Sequence, residues 1–274
     1  MSRTNDLDVK SPAKFFFQWD GDKGGFKYYD KELENGTEKK GGNVAVALPF
    51  RFMVLDVLST IKGFNDSEKL GYYSNEVRNL KTEEFTVRTK KGIEQKGLYE
   101  NIIEKINGGK FVSSVYIAYK HEDKMIIANI QIMGAALGSW FDFKKSQNIM
   151  KCAVVVDGMI DGKKGKVEFK IPVFKAIPTT PQSEEVAGRL DKELQEYLTV
   201  YFNRSKAESV QESTHEAVET KEEIVKPDAT APENKPWDPN DGDDLPFSFI
   251  LPWAAIGGVL AMLCKVGAMA TSLC

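Results

Sequence analysis

The chain has 274 residues, of which 42% are hydrophobic, 11% aromatic and 28% charged. This composition is typical of soluble globular proteins and excludes collagen, a coiled coil and disorder of the whole chain. Three cysteines exclude a disulfide framework, and the two histidines, His121 and His215, have no Cys or His neighbour at ligand spacing, so a zinc site is not expected.

Charge divides the chain into three segments. The net charge of −3 comprises +3 over residues 1–202, −7 over residues 203–247 and +1 over residues 248–274. Residues 1–14 are polar and contain no secretory signal, which predicts a reducing, cytoplasmic location. A mildly basic front, an acidic middle and an almost uncharged end predict one folded region of about 200 residues and two segments of different character.

Short strands dominate the first predicted elements. Two aromatic runs, 14–19 and 26–30, are separated by the Gly- and Asp-rich residues 20–25, a pattern typical of a β-hairpin. Residues 44–60 are rich in β-branched side chains and predict one or two strands bent near Pro49. Residues 84–89 alternate apolar with polar side chains, as a half-buried strand does.

Helices and strands follow one another in the rest of the front segment. Apolar residues at helical spacing predict a helix over 98–106, which Gly108 and Gly109 end. The next predicted elements are strands over 111–119 and 125–133, a short helix over 135–145, and a hairpin of 151–156 with 166–174. An amphipathic helix over 183–202 closes the segment, with Ser183 as its N-cap.

This order of elements predicts a mainly β fold with helices, of the α+β class. Seven or eight short strands with Gly-rich turns favour a small closed barrel, and the OB-fold is the best-known barrel with a helix between its strands. The prediction is therefore an OB-like domain over residues 1–202, closed by a C-terminal helix. Periodicity alone does not distinguish this barrel from a β-sandwich.

Residues 203–240 are rich in Glu, Ser, Thr, Lys, Ala and Pro, and large apolar groups are scattered. Such a stretch cannot bury enough apolar surface to offset its chain entropy, so a disordered acidic linker is predicted. It leads to residues 241–247, DGDDLPF, in which acids precede an apolar hook. The predicted partner-docking residues are Asp241, Asp243, Asp244, Leu245, Pro246 and Phe247. A tethered aromatic residue suits a pocket with a basic rim.

This tip resembles the C-terminal partner-binding peptide of single-stranded-DNA-binding proteins, and the front resembles phage-encoded members of that class. The segments that carry the resemblance are GFKYYDK (25–31), LPFRF (48–52), YSNEVR (73–78) and LDKELQEYL (190–198). The resemblance covers about residues 10–202 plus the tip. It implies an OB-fold, binding to single strands without sequence preference, a role in replication, recombination or repair, and the host cytoplasm for a phage-encoded protein.

One feature departs from that family. In the family the Phe of the tip ends the chain, and its free carboxylate belongs to the docking group. Here 27 residues follow Phe247, so docking of the intact chain lacks that carboxylate.

Aromatic and cationic side chains are interleaved along the front, as binding of single strands requires. Most of the rings are expected to be core, including Phe15, Phe17, Phe50, Phe52, Phe111 and Trp140. The candidate DNA-binding residues are Trp19, Phe26, Lys27, Tyr28, Tyr29, Lys31, Arg51, Tyr73, Arg78, Arg88, Lys90, Lys110, Tyr116, Tyr119 and Lys120. No cofactor, metal or enzymatic activity is predicted, and Cys152 is expected to be a buried thiol.

Residues 248–274, whose only charged side chain is Lys265, leave three interpretations open: a membrane anchor, a segment that packs on the folded domain or in a homo-oligomer, and an extension past a natural stop after Phe247. The anchor is marginal in length, and Pro252, Gly257 and Gly258 weaken a helix. The alternative function is therefore a membrane-tethered protein-interaction module, and a weaker alternative is a metal-dependent nuclease. Neither the stoichiometry nor a preference between DNA and RNA follows from the sequence.

Overall fold

The computed structural model describes residues 10–35, 38–39 and 41–216. More of these residues lie in β-strands than in helices. The strands are β1 (Phe16–Trp19), β2 (Phe26–Asp30), β3 (Glu34–Asn35), β4 (Glu38–Lys39), β5 (Gly42–Val46), β6 (Phe50–Asn65), β7 (Leu70–Ser74), β8 (Phe85–Thr89), β9 (Gly92–Gly97), β10 (Gly109–His121), β11 (Lys124–Ile132), β12 (Ala153–Lys164) and β13 (Val167–Ile177).

Three α-helices accompany the strands in the described part of the chain. They are α1 (Tyr99–Ile102), which continues as a 3-10 turn over Ile103–Lys105, α2 (Ala135–Ser146) and α3 (Pro181–Glu216). The prediction of a mainly β fold with helices is confirmed. The helix expected over 98–106 is present as α1 and its 3-10 turn. The helix expected over 183–202 begins at Pro181 and continues to Glu216, so Ser183 lies inside the helix and the prediction of Ser183 as its N-cap is wrong.

Eleven of the strands form one mixed sheet. Nine of them follow the order β5-β2-β1-β11-β10-β6-β7-β8-β9, and β12, which pairs with β6, and β13, which pairs with β12, complete it. Strand β6 pairs with β10 along one edge, and on its other edge it pairs with β12 near Phe50 and with β7 near Lys62. Strand β1 pairs with β11 in parallel, and the other pairs are antiparallel. The long strand β6 therefore joins two parts of the sheet, one around β1, β11 and β12 and the other around β7 to β9.

The inner face of the first part encloses the main hydrophobic core. Phe17, Phe50 and Trp140 are almost fully buried there, because alternate residues of the strands point inwards and α2 places Trp140 against them. The other buried members are Phe26, Phe52, Val54, Val115, Ile117, Ala128, Ile130, Ile132, Ala136, Phe143, Ile149, Val154, Val156 and Phe174. The core prediction is confirmed for Phe17, Phe50, Phe52 and Trp140, while Phe15 and Phe111 are half-buried.

Helix α3 covers the middle of the opposite face, which we call the outer face. Its residues Leu190, Leu194 and Leu198 pack with Leu58 of β6 and Tyr116 of β10. These leucines recur at helical spacing, so they form one apolar stripe that the sheet buries. A third cluster lies under β7 to β9 and unites Ile61, Val77, Phe85, Val87, Ile102 and Ile106.

Two strands of the second part of the sheet, β7 and β9, were not predicted. Strand β7 (LGYYS) contains a glycine and a polar end, and β9 (GIEQKG) has mainly exposed side chains, so neither shows a clear alternation. The predicted disordered linker begins inside α3, whose final residues 203–216 are helical. The rest of that linker, the tip 241–247 and the extension 248–274 lie outside the described residues.

Candidate nucleic-acid interface

The strand register brings four side chains that are distant in sequence into one line across the sheet. Lys110 of β10 lies opposite Lys62 of β6, and Lys62 lies opposite Tyr73 of β7. Tyr73 in turn lies opposite Arg88 of β8. Directly opposite residues project on the same face, with Cβ atoms about 5 Å apart. These four residues, which we call the cross-strand row, therefore extend about 14 Å across four strands.

The cross-strand row lies on the outer face, beyond the part that α3 covers. Lys62 follows Leu58 by four residues along β6, so both point to the same side of the sheet, and Leu58 packs against α3. Tyr73 is 51% exposed and Lys110 is exposed, whereas Lys62 and Arg88 are half-buried. The row thus presents an accessible aromatic ring among three cations.

Phe64 adds a second ring beside the row. It follows Lys62 by two residues on the same strand and is 49% exposed. Its partner across the strand pair is Gly71, which has no side chain to cover the ring. Neither Lys62 nor Phe64 was predicted as an interface residue, because the strand predicted over 44–60 ends before them. The alternation Lys62-Gly63-Phe64 was the signal that would have placed both side chains on one face.

Two glycines allow the start of β10 to pass close to β6 at this point. A Cβ atom on Gly63 would collide with the carbonyl group of Gly108. Gly108 itself has a φ of 84°, in the left-handed region that favours glycine. The close crossing sets the pairing that places Lys110 opposite Lys62.

Glu76 is a largely buried carboxylate that contacts both β10 and α3. Its carboxylate accepts hydrogen bonds from Ser114 Oγ at 2.5 Å and Tyr116 Oη at 2.8 Å. Burial raises the pKa of Glu76, and these two hydrogen bonds and the charge of Lys62 oppose that rise. Burial lowers the pKa of Lys62, and the charge of Glu76 opposes that change.

A second, smaller group of predicted residues lies on the outer face of β1 and β2. Tyr29 is 59% exposed, and Lys31 is exposed just beyond β2. Lys27 lies on the same face as Tyr29, but its ammonium group is 3.0 Å from the Asp20 carboxylate. Phe16, which was not predicted, is 44% exposed on β1. In the run Phe15-Phe16-Phe17 only the register of β1 decides which ring faces outwards.

Asp20 organises the turn that precedes this group. Its carboxylate accepts backbone hydrogen bonds from Asp22 and Lys23 at 3.0 and 3.1 Å, in addition to the Lys27 contact. The backbone hydrogen bond from Lys23 and the contact with Lys27 lower the pKa of Asp20. The carboxylate therefore acts as a turn residue, as the sequence indicated.

Two predicted rings are buried and therefore do not belong to the candidate interface. Phe26 is 2% exposed in the main core, and Tyr116 is 2% exposed beneath α3. Burial raises the pKa of Tyr116, so its hydroxyl group stays protonated and donates to Glu76. A base cannot stack on either ring because neither presents a face to solvent.

Three further predicted rings are half-buried and packed against the core. Tyr28 lies against Phe17 at 5.8 Å between ring centroids, and Tyr119 lies at 5.0 Å from the same ring. Trp19 packs on Phe26 and donates its indole N–H to the carbonyl of Lys170 at 2.8 Å. These contacts give all three rings structural roles.

The remaining predicted cations lie in different places. Arg78 forms a two-pronged ion pair with Asp56, with N–O distances of 2.7 and 3.0 Å. Lys90 is exposed in the β8–β9 turn, two residues after Arg88. Arg51 is exposed opposite Val155, and Lys120 lies 3.9 Å from Asp123. Of the predicted set, the structure thus brings Tyr73, Arg88 and Lys110 together, with Lys90 nearby. The partner-docking residues of the tip lie outside the described part of the chain.

In comparisons with known proteins, no family model, curated protein or solved structure matches this chain. Within residues 10–35, 38–39 and 41–216, no group of three His, Cys, Asp or Glu side chains could hold a metal ion. None of the helices in that same part of the chain has both the length and the apolar character that crossing a membrane requires.

Proposed function

We propose that this chain binds single-stranded DNA without sequence preference, through the cross-strand row, and recruits replication or recombination proteins through residues 241–247. The observation that carries the proposal is the alignment of Lys110, Lys62, Tyr73 and Arg88 on one exposed face. Non-specific binding of single strands combines cations that follow the backbone with aromatic rings on which bases stack. The resemblance of the tip and front to single-stranded-DNA-binding proteins supports the same function.

The geometry suggests how a strand lies on the site. The row extends about 14 Å at right angles to the β-strands, a distance that accommodates a few nucleotides. Lys110 and Lys62 on one side of Tyr73, and Arg88 on the other, are placed to meet successive phosphates. Tyr73 offers a ring face to one base, and Phe64 offers a second ring two residues along β6 from Lys62.

We also propose that the first part of the sheet is an OB-like barrel. Two hydrogen bonds support closure: the Lys170 backbone N–H donates to the Gly21 carbonyl at 2.6 Å, and the Trp19 indole donates to the Lys170 carbonyl at 2.8 Å. They bring β13 against the β1–β2 turn. The main core lies inside this barrel. Its side chains come from α2 and from strands β1, β2, β6, β10, β11, β12 and β13.

Fluorescence anisotropy with a labelled thymidine oligonucleotide tests the proposal on the full chain. Tyr73→Ala is expected to weaken binding by about 1–3 kcal/mol, because it removes one stacking ring. Lys62→Ala should lower the slope of log K against log salt by about 0.7, because it removes one phosphate contact. Lys192→Ala, an exposed lysine on α3, is the charge-matched control and should leave the slope unchanged.

Two outcomes would remove this assignment: tighter binding to duplex than to single strands, or equal affinities for the unchanged chain and Tyr73→Ala. Loss of binding in Tyr29→Ala instead of Tyr73→Ala would move the site to the outer face of β1 and β2.

A second candidate function, protein docking, is favoured by the hairpin of residues 158–173, which we call the arm. Among the described residues, the strand pairing of the arm is confined to its own two strands, β12 and β13. Ile160 is 54% exposed and Val167 is 64% exposed on its outer face. Exposed apolar side chains of this kind mark protein interaction sites. Unchanged oligonucleotide affinity across the row variants would leave the arm as the main candidate surface.

A further inference from the structure

Glu76 lies where helix α3, strand β10 and the cross-strand row meet. Its backbone N–H donates to Tyr201 Oη of α3 at 2.8 Å, and its carboxylate accepts from Ser114 Oγ and Tyr116 Oη of β10. Ser114 and Tyr116 are buried on the outer face. These contacts hold the carboxylate in a fixed position between the helix and the row.

The charged and titratable groups around this carboxylate come from three elements. Strand β6 contributes Lys62 and Asp56, β10 contributes Tyr116, and α3 contributes Tyr197 and Tyr201. Asp56 is paired with Arg78, and its negative charge adds to the rise in the pKa of Glu76. The cation of the row that interacts with Glu76 is Lys62.

We propose that proton uptake by Glu76 strengthens the binding of single-stranded DNA at the cross-strand row. The inference rests on the proposed function of the row. When Glu76 is ionised, its negative charge offsets that of Lys62 and repels an approaching phosphate. Protonation removes that charge while the hydroxyl groups of Ser114 and Tyr116 remain as hydrogen-bonding partners, so the row gains one unit of positive charge without rebuilding its surface.

The surroundings of Glu76 place this titration nearer to neutral pH than that of an exposed carboxylate. Burial raises the pKa of Glu76, and the hydrogen bonds from Ser114 and Tyr116 oppose the rise. Because the folded-state pKa lies above that of the unfolded chain, the folded state holds the proton more tightly. The stability contributed by that proton is therefore present at low pH and is lost as the pH rises through the folded pKa.

The test is the affinity of the full chain for a labelled thymidine oligonucleotide at constant ionic strength, between about pH 8 and about pH 5.5. The unchanged chain is expected to bind about fivefold more tightly at the acid end, from the removal of one charge near a phosphate. Glu76→Gln should bind at pH 8 as tightly as the unchanged chain does at low pH, with little further dependence on pH. The melting temperature of this variant should not show the fall that accompanies ionisation of Glu76 in the unchanged chain as the pH rises.

Three controls separate this titration from others. His121→Gln combined with His215→Gln removes both histidines and should keep the pH dependence. Glu68→Gln removes an exposed carboxylate of the β6–β7 turn and should also keep it. Tyr116→Phe removes a hydrogen bond that favours the ionised form and should move the midpoint to higher pH, which provides a second probe if Glu76→Gln folds poorly.

The inference is overturned if Glu76→Gln retains the pH dependence of the unchanged chain, or if Tyr116→Phe leaves the midpoint in place. If Tyr73→Ala weakens binding while Glu76→Gln changes nothing, the row is a strand-binding site whose affinity Glu76 does not regulate. If no variant of the row alters binding, the proposed function itself fails, and this inference fails with it.

Discussion

At the scale of single residues, the partners of a cation decide what it does. The Arg78 guanidinium grips the buried Asp56 carboxylate, lies 5.3 Å from the centre of the Phe202 ring and donates to Gln195 of α3. Gln195 donates in turn to Asp56 at 3.0 Å. This network fastens α3 to β6, so Arg78 stabilises the fold rather than the interface for which the sequence suggested it.

Arg78→Ala is therefore expected to lower stability and leave strand binding unchanged. The substitution leaves Asp56, which is 7% exposed, without its ion-pair partner, at a cost of about 1–3 kcal/mol. Denaturant unfolding measures the loss, with Arg189→Ala on the exposed side of α3 as the matched control. If the affinity of Arg78→Ala for oligonucleotide stays within about twofold of that of the unchanged chain, the structural role of Arg78 is supported. A large loss of affinity in a folded variant would instead show that Arg78 belongs to the interface.

At the scale of secondary structure, α3 packs on the outer face of the sheet and buries it as a second hydrophobic core. Its stripe of leucines covers Leu58 of β6 and Tyr116 of β10, while the same sheet face continues uncovered into the cross-strand row. The helix therefore defines where the candidate interface begins.

Leu194→Ala is expected to destabilise the fold by about 2–5 kcal/mol, because Leu194 is fully buried and its truncation leaves a cavity between helix and sheet. Val200→Ala on the same helix, where the side chain is 44% exposed, should cost much less. Thermal unfolding of both variants checks this difference. Equal, small effects would mean that α3 is only loosely held.

Local patterns in the sequence predict elements well where one face is buried, and less well elsewhere. The alternation of apolar and polar side chains in β8 and the spacing of the leucines in α3 were sufficient to predict these two elements. Strand β9 lacks a buried face of its own, and Gly71 interrupts β7, so periodicity gave no signal for them. The cross-strand row is harder still to predict, because it depends on the register of four strands whose pairings join residues far apart in the chain.

At the scale of the whole molecule, the arrangement of charges matters more than their sum. Residues 1–202 carry a net charge of only +3, but ion pairs occupy several of the carboxylates. Asp20 is paired with Lys27, and Asp56 with Arg78. The cations of the row meanwhile lie together on one exposed face. Affinity for a strand follows this local density of cations, because each phosphate contact releases counterions independently of the net charge.

The acidic tip concerns the whole chain, because it is predicted to recruit partners for a strand bound elsewhere. Ending the chain after Phe247 is expected to strengthen capture of a replication protein from a host lysate. The cut creates a terminal carboxylate beside the hook, and charge-assisted hydrogen bonds are about twice as strong as neutral ones. Ending the chain after Pro246 should abolish capture, because Phe247 is the large anchor of the motif and such anchors dominate small interfaces.

Pull-downs with the full chain and both shortened chains measure these differences, and oligonucleotide affinity serves as the control for folding. Both cuts leave every described residue in place, so all three chains should bind oligonucleotide alike. Capture of the same proteins by all three chains would reduce the tip to an ordinary acidic segment. Capture by the full chain alone would instead assign partner binding to residues 248–274, because these are the residues that both shortened chains lack.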